Sequence, residues 1–137
     1  MKQLSIWVSL ILFMGCSSIK NTTASSTFLS GTWVPVKQEM NGKELPPLAF
    51  TGQKLTLKDS TYIFMAESLD KGIVHYKGGK MDIFGKEGVN KGKHFTAIYK
   101  YANGQLTVCY NLLGDSYPES FETKSKRTFF LSIYKRE

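Results

Sequence analysis

Cysteine is scarce. The 137 residues contain two, too few for a disulfide scaffold. Histidine is equally rare: His75 and His94 stand alone, with no His-x-His or Cys-x-x-Cys spacing that could hold a zinc ion. No metal and no cofactor are therefore expected. Acidic residues number 11 against 18 lysines and arginines, a formal charge of +7. The excess is spread along the chain, with a modest concentration at Lys86, Lys91 and Lys93, and lacks the clustered basic and aromatic pattern of a nucleic-acid binder. No apolar run is long enough to cross a membrane, the stretch from Leu4 to Met14 included. Catalytic signatures are missing too. Asp82 has no second acid at a defined spacing. The 88–94 stretch fails as a phosphate loop, because three residues rather than four separate its glycines and His94 stands where Ser or Thr belongs. The chain reads as non-enzymatic.

What is present begins with a targeting signal. Lys2 supplies a positive n-region, and an apolar stretch from Leu4 to Met14 has the length of a signal-peptide h-region. It ends in Leu12-Phe13-Met14-Gly15-Cys16, which resembles the lipobox of bacterial lipoproteins, with Phe13 where Leu is usual. That resemblance implies removal of residues 1–15, acylation of Cys16 and a membrane partner through the lipid anchor. The expected location is the cell envelope, at the outer membrane facing the periplasm. The alternative is a plain secretory signal with an incidental cysteine. Residues 16–29 read as anchor and tether: eight of the thirteen from Ser17 to Leu29 are Ser, Thr or Asn, and a flexible chain of that length spans about 20 Å.

From residue 30 to 137 the pattern is strands and turns. Lys54-Leu55-Thr56-Leu57-Lys58 alternates as a half-buried strand does. Strands are expected at 32–40, 54–58, 61–66, 73–77, 81–84, 94–101, 105–112 and 128–136. Asn41-Gly42, Gly78-Gly79 and Asn103-Gly104 supply turns, and 85–92 is read as a loop. Eight closely spaced strands without a convincing helix predict an all-β fold, an eight-stranded antiparallel up-and-down barrel, with a β-sandwich as the alternative. Phe95, Ala97, Tyr99 and Tyr101 form one apolar row, and Leu106, Val108, Tyr110 and Leu112 a second.

Gly31-Thr32-Trp33 opens this region and Lys135-Arg136 nearly ends it. Between them come Asn41-Gly42-Lys43, Met81-Asp82-Ile83, Gly88, Gly92-Lys93, Ile98-Tyr99, Leu106-Thr107-Val108-Cys109-Tyr110 and Phe121-Glu122-Thr123. In that order and spacing the chain resembles the small lipocalin-like domains of bacteria, with Ala97 where Gly is common and Tyr117-Pro118 where Arg-Pro is common. The resemblance implies that Trp33 closes the barrel floor and Arg136 lies across it. It also implies a small apolar ligand in the barrel mouth, for which Tyr62, Phe64, Phe95, Tyr99, Tyr101 and Tyr110 are the candidate lining residues. Those rings serve equally well as core. The second functional reading is an envelope module that binds a protein or wall polymer through its loops and keeps a filled interior. Cys109 is read as a small strand residue, and Asp82 as a carboxylate bonding the amides of the 85–92 loop or pairing with a lysine.

Overall fold

Strands joined by tight turns must expose two sheet edges or close on themselves. This chain closes. The computed structural model describes residues 26–137, with strands β1 Gly31–Met40, β2 Lys43–Glu44, β3 Lys54–Lys58, β4 Thr61–Met65, β5 Leu69–Lys77, β6 Lys80–Glu87, β7 His94–Ala102, β8 Gln105–Asn111 and β9 Phe129–Arg136. Single 3-10 turns lie at Ser26–Leu29 and Pro47–Ala49. From β3 to β9 each strand pairs antiparallel with the next, and β1 pairs with both β3 and β9. The result is an eight-stranded up-and-down barrel of the lipocalin-like kind, with β2 an additional short strand on β1, and the sandwich alternative falls away.

Closure rests on β1. Its first residues pair with β3, Trp33 opposite Leu55, while the rest follows β9 from Trp33 opposite Arg136 to Met40 opposite Phe130. A register shift between Pro35 and Lys37 bends the strand. Proline offers no N–H to a ladder, so a bulge is where a strand accommodates it. At the ends, Asn41-Gly42 and Asn103-Gly104 each place two successive residues at positive φ, 51° and 76° in the first and 53° and 75° in the second. These values match the hairpin turn whose twist suits paired strands.

Two expected boundaries change. Both β5 and β6 are longer than the alternation indicates, so Gly85 to Glu87 belong to a strand rather than to the loop. Gly72 faces Gly85 beside a bulge, and a Cβ at Gly72 would sit 2.0 Å from the Phe84 carbonyl oxygen and 2.7 Å from the Tyr62 ring. Glycine is required there by the close approach, and it erases the period-two signal. The expected tether also ends sooner. Leu29 is buried in the core, and Phe28 meets the edge of Tyr101 at 4.6 Å. Residues 1–25, including Cys16, lie outside the described residues.

Trp33, Leu55, Leu57, Val74, Met81, Ala97, Leu106, Val108 and Tyr134 fill the interior. On the outside, residues 112–128 between β8 and β9 lie across part of the barrel wall. Thr123 of this strap is fully buried; its Oγ1 donates to Glu39 and accepts from the Gly42 N–H at 2.9 Å. Asn111 Nδ2 donates to Asp115 and to the Ser116 carbonyl, and Thr96 Oγ1 donates to that same carbonyl. Thr96 and Asn111, held by these bonds, are buried, as are Thr107 and Cys109 on the same outward face of β7 and β8.

Candidate functional site

The two ends of the barrel differ. At one end the floor is built on Trp33, which has no exposed surface and whose Nε1 donates to the Leu29 carbonyl at 2.9 Å. The Arg136 guanidinium carbon lies 4.3 Å from the centre of the Trp33 ring. Its Nη1 and Nη2 donate to the carbonyls of Ser30 and Phe28 at 2.7 and 2.6 Å. A planar cation can stack on an indole and still direct its N–H groups in its own plane. This guanidinium does both, tying the Ser26–Leu29 turn across the floor.

Toward the opposite end is a cavity of about 160 Å³. Its wall is mainly apolar, with Leu55, Leu57, Val74, Met81 and Ile83 joined by Tyr62, Phe64, Phe95, Tyr110 and Phe130. Leu112 stands at its rim with 39% of its surface exposed, so the cavity reaches solvent. Of the six aromatic residues expected to line a pocket, Tyr62, Phe64, Phe95 and Tyr110 are brought together here. Tyr99 and Tyr101 are not. Tyr99 packs edge-on against Tyr76 at 5.9 Å, and Tyr101 is partly exposed at the floor, edge-on to Trp33 at 6.0 Å. Tyr99 and Tyr101 thus stand apart from Tyr110, because along β7 the inward row runs from the cavity at Phe95 to the floor at Tyr101.

The cavity's polar groups are few. The Tyr110 and Tyr134 hydroxyls lie 3.1 Å apart and share a hydrogen bond, and burial pushes both phenols up. Tyr62 is pushed up to about 12 by burial and by the Asp70 carboxylate, to which its hydroxyl donates at 3.3 Å. Near neutral pH these phenols remain protonated, able to orient a ligand but not to act as bases. Outside the cavity lining, the Tyr76 hydroxyl is buried without a hydrogen-bond partner, and its phenol is raised by burial. Asp70 and Asn90 complete the polar set. Alternation alone could not single them out, because Asp70 lies just before the glycine break in β5 and Asn90 lies in the loop after β6. The Asn90 backbone N–H and Nδ2 donate to Asp70 at 3.2 and 2.6 Å. The loop-bonding role expected of Asp82 thus belongs to Asp70.

Asp82 faces outward, between strands and strap. Its Oδ1 lies 2.9 Å from His94 Nε2, and its Oδ2 accepts from the Tyr117 hydroxyl at 2.5 Å. The Tyr117 bond, and more weakly His94, hold the carboxyl below the usual carboxylate range against the opposing effect of burial. His94 stacks on Phe84 at 4.5 Å, and Lys80 lies 4.8 Å above the Tyr117 ring. The His–Asp pair has the form of a base and its orienter, but the nearby Thr96 hydroxyl is committed to the Ser116 carbonyl. The arrangement clamps the strap to β6 and β7. Cys109 is fully buried, and burial, with a contribution from Glu39, pushes its thiol up to about 11. Among the described residues no three of His, Cys, Asp and Glu converge as a metal site needs.

Comparison with known proteins finds no matching protein family, no similar curated protein and no similar solved structure.

Proposed function

We propose that this protein is a cell-envelope lipoprotein, anchored through Cys16, whose lipocalin-like barrel binds a small apolar ligand without transforming it. One observation carries the binding reading: an apolar cavity of about 160 Å³ whose wall reaches the barrel rim at Leu112. An apolar cavity of about 150 Å³ stays dry and accepts a benzene-sized molecule, whereas drug-sized ligands occupy roughly 300–1,000 Å³. The ligand is accordingly a single ring or a short chain. Raised phenols, a buried thiol and a committed threonine hydroxyl support binding over chemistry. The signal-like first fifteen residues, followed by Cys16, support the anchor and an outer-membrane site facing the periplasm. Native mass spectrometry of the protein extracted from its own membrane tests this reading. The expected spectrum shows a diacyl or triacyl mass at the N-terminus and a small non-covalent adduct. An unacylated chain would remove the anchor. A consistently empty barrel that also refuses small aromatic probes would favour the envelope interaction module.

A further inference from the structure

Building on the binding reading, we infer that the ligand carries a positively charged amine, received by Asp70. Asp70 is the only carboxylate among the residues lining the cavity, and no lysine, arginine or histidine lines it. Its residue surface is 4% exposed. A carboxylate removed from water needs compensation, normally an opposite charge. Here the compensation within the chain is neutral: the Asn90 N–H, the Asn90 side-chain amide and the Tyr62 hydroxyl. No ion pair among the described residues includes Asp70, and the adjacent Lys71 turns to Glu87 at 3.7 Å.

The loop that brings Asn90 is closely seated against β5. A Cβ at Gly88 would lie 2.3 Å from the Leu69 carbonyl oxygen and 3.0 Å from the Asp70 Cα, and one at Gly85 would lie 1.8 Å from the Asn90 carbonyl oxygen. This contact holds the neutral donors in place and leaves the lysines of the loop outside the cavity lining. Aromatic rings share the space with the carboxylate, since Tyr62, Phe64, Phe95 and Phe130 line the same cavity. An ammonium group is attracted both by a carboxylate and by ring faces, while the apolar wall takes the hydrocarbon body. An anionic ligand would meet repulsion from Asp70, and a neutral one would leave its charge without a counterion.

The test titrates the full chain, solubilised in detergent, with benzylamine, benzyl alcohol and benzoate, following the ring resonances of the cavity by NMR. These probes share one ring that suits the volume and differ in the head. Benzylamine should bind about ten-fold or more tightly than benzyl alcohol, the size expected for a hydrogen bond to a charged group, and benzoate should bind weakest. D70N should remove the advantage of benzylamine while leaving benzyl alcohol within about three-fold. Equal binding of benzylamine and benzyl alcohol by the unaltered protein would overturn the amine assignment and leave the cavity reading standing. Loss of benzyl alcohol and benzylamine binding alike would overturn both. If D70N does not fold, the ratio in the unaltered protein decides the matter alone.

Discussion

Replacing Arg136 with methionine would remove the floor's cation and keep most of its hydrocarbon stem. An exposed arginine would ordinarily be worth less than about 0.5 kcal/mol. The structure gives this one three interactions: the stack on Trp33 at 4.3 Å and bonds to the carbonyls of Ser30 and Phe28 at 2.7 and 2.6 Å. An exposed cation–π contact contributes about 0.5–1 kcal/mol. Each guanidinium–carbonyl bond adds about 0.5–1 kcal/mol once solvent competition is allowed for. The sum is about 2 kcal/mol, or a fall in melting temperature of about 8 °C for a domain near 100 residues. Lysine at the same position keeps the charge but lacks the planar fork that reaches both carbonyls, so R136K should lose about half as much. Thermal and urea unfolding followed by circular dichroism measures both variants. A change for R136M no larger than that of an ordinary surface substitution would show that the guanidinium contributes little, and that burial of Leu29, its carbonyl's bond from Trp33 and the Phe28–Tyr101 contact hold the Ser26–Leu29 turn to the barrel.

Other expectations concern the strap and the thiol. Asp82 has a lowered folded-state pKa, so its bonds to Tyr117 and His94 stabilise the protein above the unfolded-state value near 3.8 and lose that effect as pH falls through the folded value. Y117F should therefore cost about 1 kcal/mol at neutral pH, a difference that shrinks below about pH 4; a pH-independent difference in urea midpoints would contradict the clamp. In C16A, which leaves Cys109 as the remaining thiol, the shift from 9.0 to about 11 lowers its thiolate fraction about 100-fold. Labelling by a disulfide reagent at pH 8 should be slower than in urea by at least that factor, and a native rate within ten-fold of the unfolded one would show the thiol to be accessible.

Alternation along β3 and β8, together with the Asn-Gly turns, was enough to place most strands and their inward rows. These are local signals, carried by residues two or three positions apart, and they survive whatever the rest of the chain does. They faded where glycine replaced a side chain, at Gly72 and Gly85, because period-two reading depends on side chains that a close backbone approach forbids. Tyr62, Phe64, Phe95 and Tyr110 were legible as lining residues, whereas Phe130 and Tyr134 of β9 were not. Nor was the division between cavity and floor, since Phe95 and Tyr101 share one face of β7 and differ only in height along the barrel.

The order of residues alone was enough for an all-β fold with its turns, the inward identity of Phe95 and Tyr110, and the signal-like character of the first fifteen residues; the choice of barrel over sandwich came with closure. Tertiary structure alone decided how β1 closes on β9, which end holds space, and that residues 112–128 hold Thr96 and Asn111 of an outer face otherwise marked as polar. It also brought Asn90 to Asp70 across 20 residues and Tyr117 to Asp82 across 35. The physical reason is distance along the chain: hydrogen-bond partners so far apart leave no periodic trace, and they meet only when closure of the barrel sets the register of every strand between them.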